Sequence, residues 1–281
     1  MVKLMAWRPD AVFVKGGYVG VPIGVAAHIL GVPLIIHDSD AHPGLADRFL
    51  SRYADKIATG MPVKYYPQYP KSKTEFVGTP IRQEFYDAAK AKKVSSGKLP
   101  NVLVIGGGLG AKRLNDEILC NAKSFDGIAK VTLVTGEAHY RELKDRADKA
   151  KNVDAMAFVG EELAMMERNA DIIVSRAGAT ALAELALLGS VVILVPNPYL
   201  ASDHQTKNAD VYDKARAAAV VNQYEMDENK TLLVDTIKNI LKNRALQGVL
   251  SKNLQKFAMP NAAAKMAKMI IGVARNARPK K

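Results

Sequence analysis

Short, mostly apolar runs alternate with longer stretches in which apolar residues recur every three or four positions, and the alternation continues along the whole chain. The runs at 11–14, 32–36, 56–58, 101–105, 130–134, 154–158, 171–175, 191–195 and 218–221 read as buried strands. Helices are predicted at 1–7, 19–30, 45–53, 84–91, 111–122, 140–149, 161–168, from Thr180 onward, beyond the polar loop Ser202–Gln205, and at 230–243, 246–257 and 262–275. The last of these carries an apolar stripe of Met266, Met269, Ile270 and Val273. Strand following helix throughout predicts an α/β fold with a parallel, doubly wound sheet in each half of the chain. The polar Lys92–Pro100 stretch, rich in Lys, Ser and Gly, reads as a linker at 92–99. It separates an N-terminal domain, 1–91, from a C-terminal domain, 100–258. The Pro- and Tyr-rich tract 62–73 reads as loop, and Arg278–Lys281 as a frayed tail.

Composition narrows the classes. The 281 residues are 48% hydrophobic and 24% charged, an ordinary globular balance, but 40 Lys+Arg against 28 Asp+Glu leave a net charge of +12. Such a surface suits nucleic acid, an anionic membrane or phosphorylated ligands. Only 6% of residues are aromatic and none falls in an RNA-stacking pattern, so no nucleic-acid partner is expected. The one cysteine, Cys120, rules out an internal disulfide and a thiolate metal cage and is expected in the core of a helix. The five histidines show no metal-ligand spacing, and no cofactor is expected. The start of the chain has no apolar signal region, and no run approaches the length of a membrane span.

Candidate chemistry collects where strands end. The stretch Ser175–Asn208 runs from a strand through the small-residue turn Arg176-Ala177-Gly178-Ala179 into a helix carrying Glu184, then a strand, then Asp203-His204-Gln205. Backbone N–H groups at such a helix start can hold an anion, and a carboxylate one turn in can accept from ribose hydroxyls; an ordinary βαβ unit accounts for the pattern equally well. Gly106-Gly107-Gly108-Leu109-Gly110 also follows a strand and opens a helix, as a phosphate-binding turn requires, though no Gly-Lys-Ser/Thr makes it a P-loop. His37 and Asp38 stand at the carboxyl end of a predicted strand, with Asp40 beyond. There His37 can serve as a base or bind a sugar hydroxyl, and Ser39 or Asp40 can equally be a helix cap. Arg82, beside the linker, can clamp a phosphate or a base.

Seven segments agree in order and spacing with one family. They are Lys15-Gly16-Gly17-Tyr18-Val19, His37-Asp38-Ser39-Asp40, Gly78-Thr79-Pro80-Ile81-Arg82, Gly106 to Ala111, Ser175 to Ala179, Glu184, and Asp203-His204-Gln205-Thr206-Lys207-Asn208-Ala209. On these residues the chain resembles, along essentially its whole length, the MurG family of N-acetylglucosaminyltransferases. The resemblance implies the GT-B architecture of two Rossmann-like domains, with the terminal helix of 259–281 returning toward the N-terminal domain. It implies transfer of N-acetylglucosamine from UDP-N-acetylglucosamine to undecaprenyl-diphospho-muramoyl-pentapeptide (lipid I), with inversion and without a metal, on the cytoplasmic face of the cell membrane, peripherally bound. It places Gly107 and Gly108 at the diphosphate and Val159 at the uracil. Ala179, Thr180, Ala181, Leu182 and Ala183 form the helix start beside the phosphates, with Glu184 at the ribose and Gln205 at the sugar. Asp40 and Arg82 face the donor from the other side, Gly16, Gly17 and Tyr18 lie on the acceptor side, and His37 is the candidate catalytic residue.

The chain departs from the family pattern in four places. His37-Asp38-Ser39-Asp40 replaces His-Glu-Gln-Asn, Asp40 thereby adds a negative charge, and Gly108 replaces a serine. Family members also begin with a strand and a first Gly-rich loop that helps bind the acceptor. At roughly 30 residues per βα unit, about 80 residues of that kind are expected before Met1 or from a partner chain. Two alternatives follow: a related lipid glycosyltransferase, or a nucleotide-sugar-binding half that needs a partner chain.

Overall fold

The computed structural model describes residues 2–94, 97–107, 111–200 and 203–277. Gly108, together with Leu109, Gly110, Ser95, Ser96, Ser202 and the 278–281 tail, lies outside the described residues. Two compact units form: residues 1–81 with 259–281, and residues 82–258.

The first unit holds α1 (Val2–Trp7), β1 (Val12–Val14), α2 (Gly20–Ile29), β2 (Leu34–Asp38), α3 (Leu45–Leu50), β3 (Lys56–Thr59) and β4 (Thr74–Phe76), and closes with α13 (Ala262–Ala277). Its sheet runs β1-β2-β3-β4, every neighbour parallel. Strand period two sends Leu34 and Ile35 to opposite faces. On the Leu34 side Gly24 of α2 lies against Leu34 and Leu50, so close that a Cβ would stand 2.6 Å from Leu50. On the Ile35 side Met266 and Met269 of α13 pack with Ile35, Ala58 and Val77, flanked by Ile270 and Val273. The apolar stripe of the terminal helix thus covers one face of this sheet. Both faces being covered is why β2 is apolar without alternation until His37.

The second unit holds α4 (Gln83–Lys90), β5 (Asn101–Ile105), α5 (Lys112–Cys120), β6 (Lys130–Val134), α6 (Tyr140–Ala147), β7 (Val153–Met156) and α7 (Leu163–Asn169). It continues through β8 (Ile172–Ser175), α8 (Ala179–Leu188), β9 (Val192–Leu194), α9 (His204–Lys214), β10 (Ala219–Val220), α10 (Gln223–Glu228), α11 (Leu232–Lys242) and α12 (Arg244–Gln255). Its sheet order is β10-β9-β8-β5-β6-β7, parallel throughout. This is the doubly wound Rossmann order, which reverses between β5 and β8. Val102, Val104, Val131, Leu133, Ile172, Val174 and Ile193 fill the core.

Five details differ from the sequence reading. The units divide at Ile81/Arg82, not in 92–99, because Phe85 and Ala88 of α4 are buried and α4 packs on α7 and α8. Strand β2 runs on to Asp38, two residues past its expected end, so His37 and Asp38 are strand residues. Strand β7 stops at Met156, leaving Phe158 and Val159 in a connection. Helix α10 was not expected; Asn222 caps it, accepting from the Tyr224 N–H at 2.9 Å. Cys120, the last residue of α5, is exposed, not in the core, with Arg146 Nη2 3.7 Å from its sulfur.

Gly78 joins the two ends of the first unit. Its φ is +86°, which disfavours any Cβ, and a Cβ there would stand 2.4 Å from the Met259 Cβ at the start of the returning segment. Gly78→Ala is expected to destabilise the first unit by about 2–4 kcal/mol, the sum of left-handed strain and overpacking. Urea unfolding checks it; a variant within 0.5 kcal/mol of the parent, about the size of an ordinary surface change, would contradict this packing.

Candidate functional site

In the second unit the turns after β5 and β8 lie side by side, because the connections from these adjacent strands leave in opposite directions. Gly106 and Gly107 follow β5; Gly107 has φ +87°, a conformation that only glycine adopts readily. After β8, Gly178 is the N-cap of α8 without a side-chain cap, so the first N–H groups of that helix have no internal partner. A Cβ at Gly107 or at Gly178 would meet nothing within 4 Å, so both turns face open space. These turns open on a cavity of about 260 Å³ lined by Val134, Val159, Glu167, Thr180, Ala181 and Glu184, among others. A larger cavity of about 860 Å³ shares Gly106, Arg176 and Gln205 with it and adds Lys112, Arg113 and Asn197.

Each side chain here is held by the fold. Asn208, wholly buried on α9, donates to the Ala177 carbonyl at 2.9 Å and fixes the β8–α8 turn. Arg176 donates to the Val195 carbonyl and to Gln223 Oε1, both at 2.9 Å. Burial, then Arg113, draws its guanidinium down to about 10. The Gln205 Oε1 accepts the Asn197 N–H at 2.9 Å, which turns its amide NH₂ outward as a donor. Glu184, buried on α8, has Arg82 Nε 3.8 Å from its Oε1. Burial raises Glu184 to about 7; Arg82 opposes this and Glu84 adds to it.

Of the residues singled out in sequence, Gly107, Val159, Thr180, Ala181, Glu184 and Gln205 line the smaller cavity. Ala179, Leu182 and Ala183 do not line it; Leu182 is turned into the core. Arg82 meets the site through Glu184. Sequence reasoning missed Glu167 and Leu163, and named Arg176 in its turn without giving it a role. The signal for Glu167 was present: it is a lone acid four residues after Leu163, on the apolar stripe of α7 with buried Ala164.

The first unit gathers a second set. Gly16 (φ +65°) and Gly17 (φ +77°) form the turn after β1 and leave Tyr18 exposed. Beneath this turn lies Asp47 of α3, its Oδ2 3.2 Å from where a Gly16 Cβ would stand and its Oδ1 buried without a partner. Tyr69 donates to Asp38 Oδ2 at 2.9 Å, and Tyr66 to the Asp40 carbonyl at 2.7 Å. The two tyrosine rings stack at 5.8 Å, so the 62–73 loop is anchored by buried aromatic rings. His37 is 1% exposed; its Nε2–H donates to the Gly78 carbonyl at 3.0 Å, and burial and then Lys15 lower it to about 4. A neutral ring enclosed in this way ties β2 to the Gly78 turn. Burial, then Asp47, raises Asp38 to about 7; burial, then Asp40, raises Asp47 to about 6. Among the described residues, no group of three or more His, Cys, Asp or Glu is arranged to hold a metal ion.

Residues 101–266 match the glycosyltransferase family 28 C-terminal domain, and residues 3–59 the glycosyltransferase family 28 N-terminal domain. A relative from Listeria welshimeri serovar 6b, a UDP-N-acetylglucosamine--N-acetylmuramyl-(pentapeptide) pyrophosphoryl-undecaprenol N-acetylglucosamine transferase, is 32% identical over 283 residues, 96% of this chain and 76% of the relative. The crystal structure of Acinetobacter baumannii MurG superposes with a TM-score of 0.78 at 29% identity, covering 96% of this chain and 77% of that one. A UDP-GlcNAc 2-epimerase from Neisseria meningitidis, solved bound to UDP-GlcNAc, shares the fold at a TM-score of 0.72 and 14% identity, over 96% of this chain and 78% of the epimerase.

The acidic pair of the first unit carries a pH dependence. A carboxyl raised from about 4 in the unfolded chain to about 7 in the fold, as Asp38 is, favours the folded state most when protonated. Its contribution is therefore complete below about pH 4 and lost as pH rises through 7. Asp38→Asn, which keeps an acceptor for Tyr69, is expected to flatten the fall in melting temperature between pH 5 and pH 8. A variant with the parent's slope would remove this assignment.

Proposed function

The chain belongs to glycosyltransferase family 28, in the MurG family, and on that premise we propose that it transfers N-acetylglucosamine from UDP-N-acetylglucosamine to lipid I, giving the disaccharide lipid II of peptidoglycan synthesis. The observation that carries this is the 32% identity to the Listeria transferase over 96% of the chain. The paired turns at the β5/β8 switch point supply the chemistry for the donor.

The nucleoside occupies the smaller cavity, with Val159 against the base and Glu184 accepting from the ribose hydroxyls. The diphosphate lies on Gly106, Gly107 and the unpaired N–H groups that open α8. The sugar extends to Gln205, whose amide NH₂ donates to a hydroxyl. In the reaction the acceptor hydroxyl oxygen attacks the anomeric carbon, the bond from that carbon to the diphosphate oxygen breaks, and the hydroxyl proton leaves to a base. Negative charge grows on the departing UDP. The fixed N–H dipoles and Arg176 stabilise that charge without having to reorganise.

The chain acts peripherally at the cytoplasmic face of the membrane, where the lipid acceptor resides. The +12 net charge supports this, as do Val2, Met5, Trp7, Tyr18 and Val19, exposed apolar or aromatic residues on α1 and the Gly16–Gly17 turn. Among the described residues no helix is long and apolar enough to cross a membrane.

Radiolabel transfer from UDP-N-acetylglucosamine to lipid I in vesicles containing anionic lipid tests the reading. Glu184→Ala is expected to weaken UDP binding by about 10- to 100-fold, the loss of one or two hydrogen bonds to a charged acceptor, with a matching drop in kcat/KM. UDP binding without any transfer would remove the acceptor assignment; unchanged UDP affinity in Glu184→Ala would remove the donor site.

A further inference from the structure

Helix α7 brings to the smaller cavity a group that the donor reading leaves unused. Glu167 is 4% exposed, lines the cavity with Glu184, and has a buried Oε2 without a hydrogen-bond partner. Such a group costs stability unless a ligand or a proton satisfies it. The charges around it are few. Helix α8 contributes only Glu184. The α4 end contributes Arg82, half-exposed and 3.8 Å from Glu184, and Glu84; Asp87 and Lys90 are on the exposed side of α4, with Tyr86 partly buried. Strand β5 contributes no ionisable side chain. On α7 itself Arg168 is committed to the Ala91 and Leu188 carbonyls, and Arg176 across the cavity to Val195 and Gln223. Two buried carboxyls therefore share one partly solvated cation.

We propose that Glu167 is a positioning residue for nucleoside recognition: it keeps the single proton of the Glu167–Glu184 pair, so that Glu184 meets the ribose hydroxyls as a carboxylate. This rests on the donor reading given above. Two like charges in a dry wall repel, so the pair gives up one proton readily and the second reluctantly. Glu167 is the more enclosed and its Oε2 has no partner, whereas Glu184 has the Arg82 guanidinium 3.8 Å away, so the retained proton resides on Glu167, whose carboxyl burial and then Glu184 push up to about 8. Ribose hydroxyls donating to Glu184 favour its charged form and reinforce this placement. At higher pH Glu167 ionises as well; a nucleoside that dries the cavity wall then encloses two like charges, so binding is accompanied by uptake of one proton on Glu167.

Calorimetry of UDP with the full chain at pH 7 and pH 9 tests this. Affinity of the parent is expected to fall about tenfold across that interval, the linkage for one proton held with a pKa near 8. In Glu167→Gln, neutral at both values, the ratio of the two affinities is expected to stay within about twofold; titration of the ligand itself affects both proteins alike. A second measurement needs no variant: at pH 9, binding enthalpies in buffers of different ionisation heat are expected to report uptake of about one proton per UDP bound. A Glu167→Gln ratio equal to the parent's, or UDP binding at pH 9 without proton uptake, would overturn the role of Glu167 and leave the donor site standing. Absence of UDP binding by the parent at both pH values would overturn the donor reading, and this proposal with it.

Discussion

Two adjacent parallel strands whose chains depart to opposite sides cannot have their carboxyl ends covered by either connection. In the second unit those strands are β5 and β8, and the gap above them exists because the sheet order reverses there. The rest of the site follows from that gap. The backbone must turn sharply after β5, which calls for Gly107 at positive φ, while Gly178 opens α8 from an extended conformation. Helix α8 starts at the gap, so its unpaired N–H groups face it. Glu184, in the second turn of the same helix, lines the same cavity. The larger side chains, Arg176 and Asn208, act behind this frame as struts bonded to carbonyls.

The strands and their order of appearance are legible as apolar runs, because parallel strands covered on both faces have no polar side to show. The stripe of Met266, Met269, Ile270 and Val273 is equally plain, and it packs on the first unit's sheet. What the pattern does not show is which sheet a short helix joins. Helix α4 has an apolar face in Phe85 and Ala88, but nothing in eight residues says that α7 and α8 will receive it, so the linker composition at 92–99 drew the boundary ten residues too late. The tyrosines of the 62–73 tract were hidden in the same way. A run rich in Pro, Lys and Gln reads as solvated loop, yet Tyr66 and Tyr69 bury their rings because their hydroxyls find Asp40 and Asp38.

The candidate site was legible where backbone conformation forces the residue type, at Gly107, and where a small-residue turn opens a helix, at Gly178, and much less where a side chain acts through burial. His37 looks the same in sequence whether it faces a substrate or the Gly78 carbonyl. Only the extension of β2 to Asp38 turns its ring inward. Glu167 presents the reverse case: an acid on an apolar stripe is visible in sequence, but only α4 and α8 closing around it show that it is buried.

These two residues show what separates a buried polar group that holds the fold from one that awaits a ligand. His37 and Asp38 each spend an atom on an internal bond, to Gly78 and Tyr69, and so tie the strand to its neighbours, although the His37 Nδ1 is itself buried without a partner. Among the described residues, the carboxyls with a buried oxygen lacking a partner are Asp47, Glu167 and Asp203. Asp47 lies under the turn that follows β1, Glu167 lines the cavity above β5 and β8, and Asp203 precedes α9 beyond the end of β9. All three stand at the carboxyl ends of their parallel sheets. A fold can satisfy its own polar groups along the strands, where the ladder and the covering helices set the geometry. At the carboxyl ends the connections diverge, and acids collected there keep unpaired oxygens for want of a backbone neighbour. The same divergence that opens the cavity above β5 and β8 therefore leaves the Glu167 Oε2 without an internal partner.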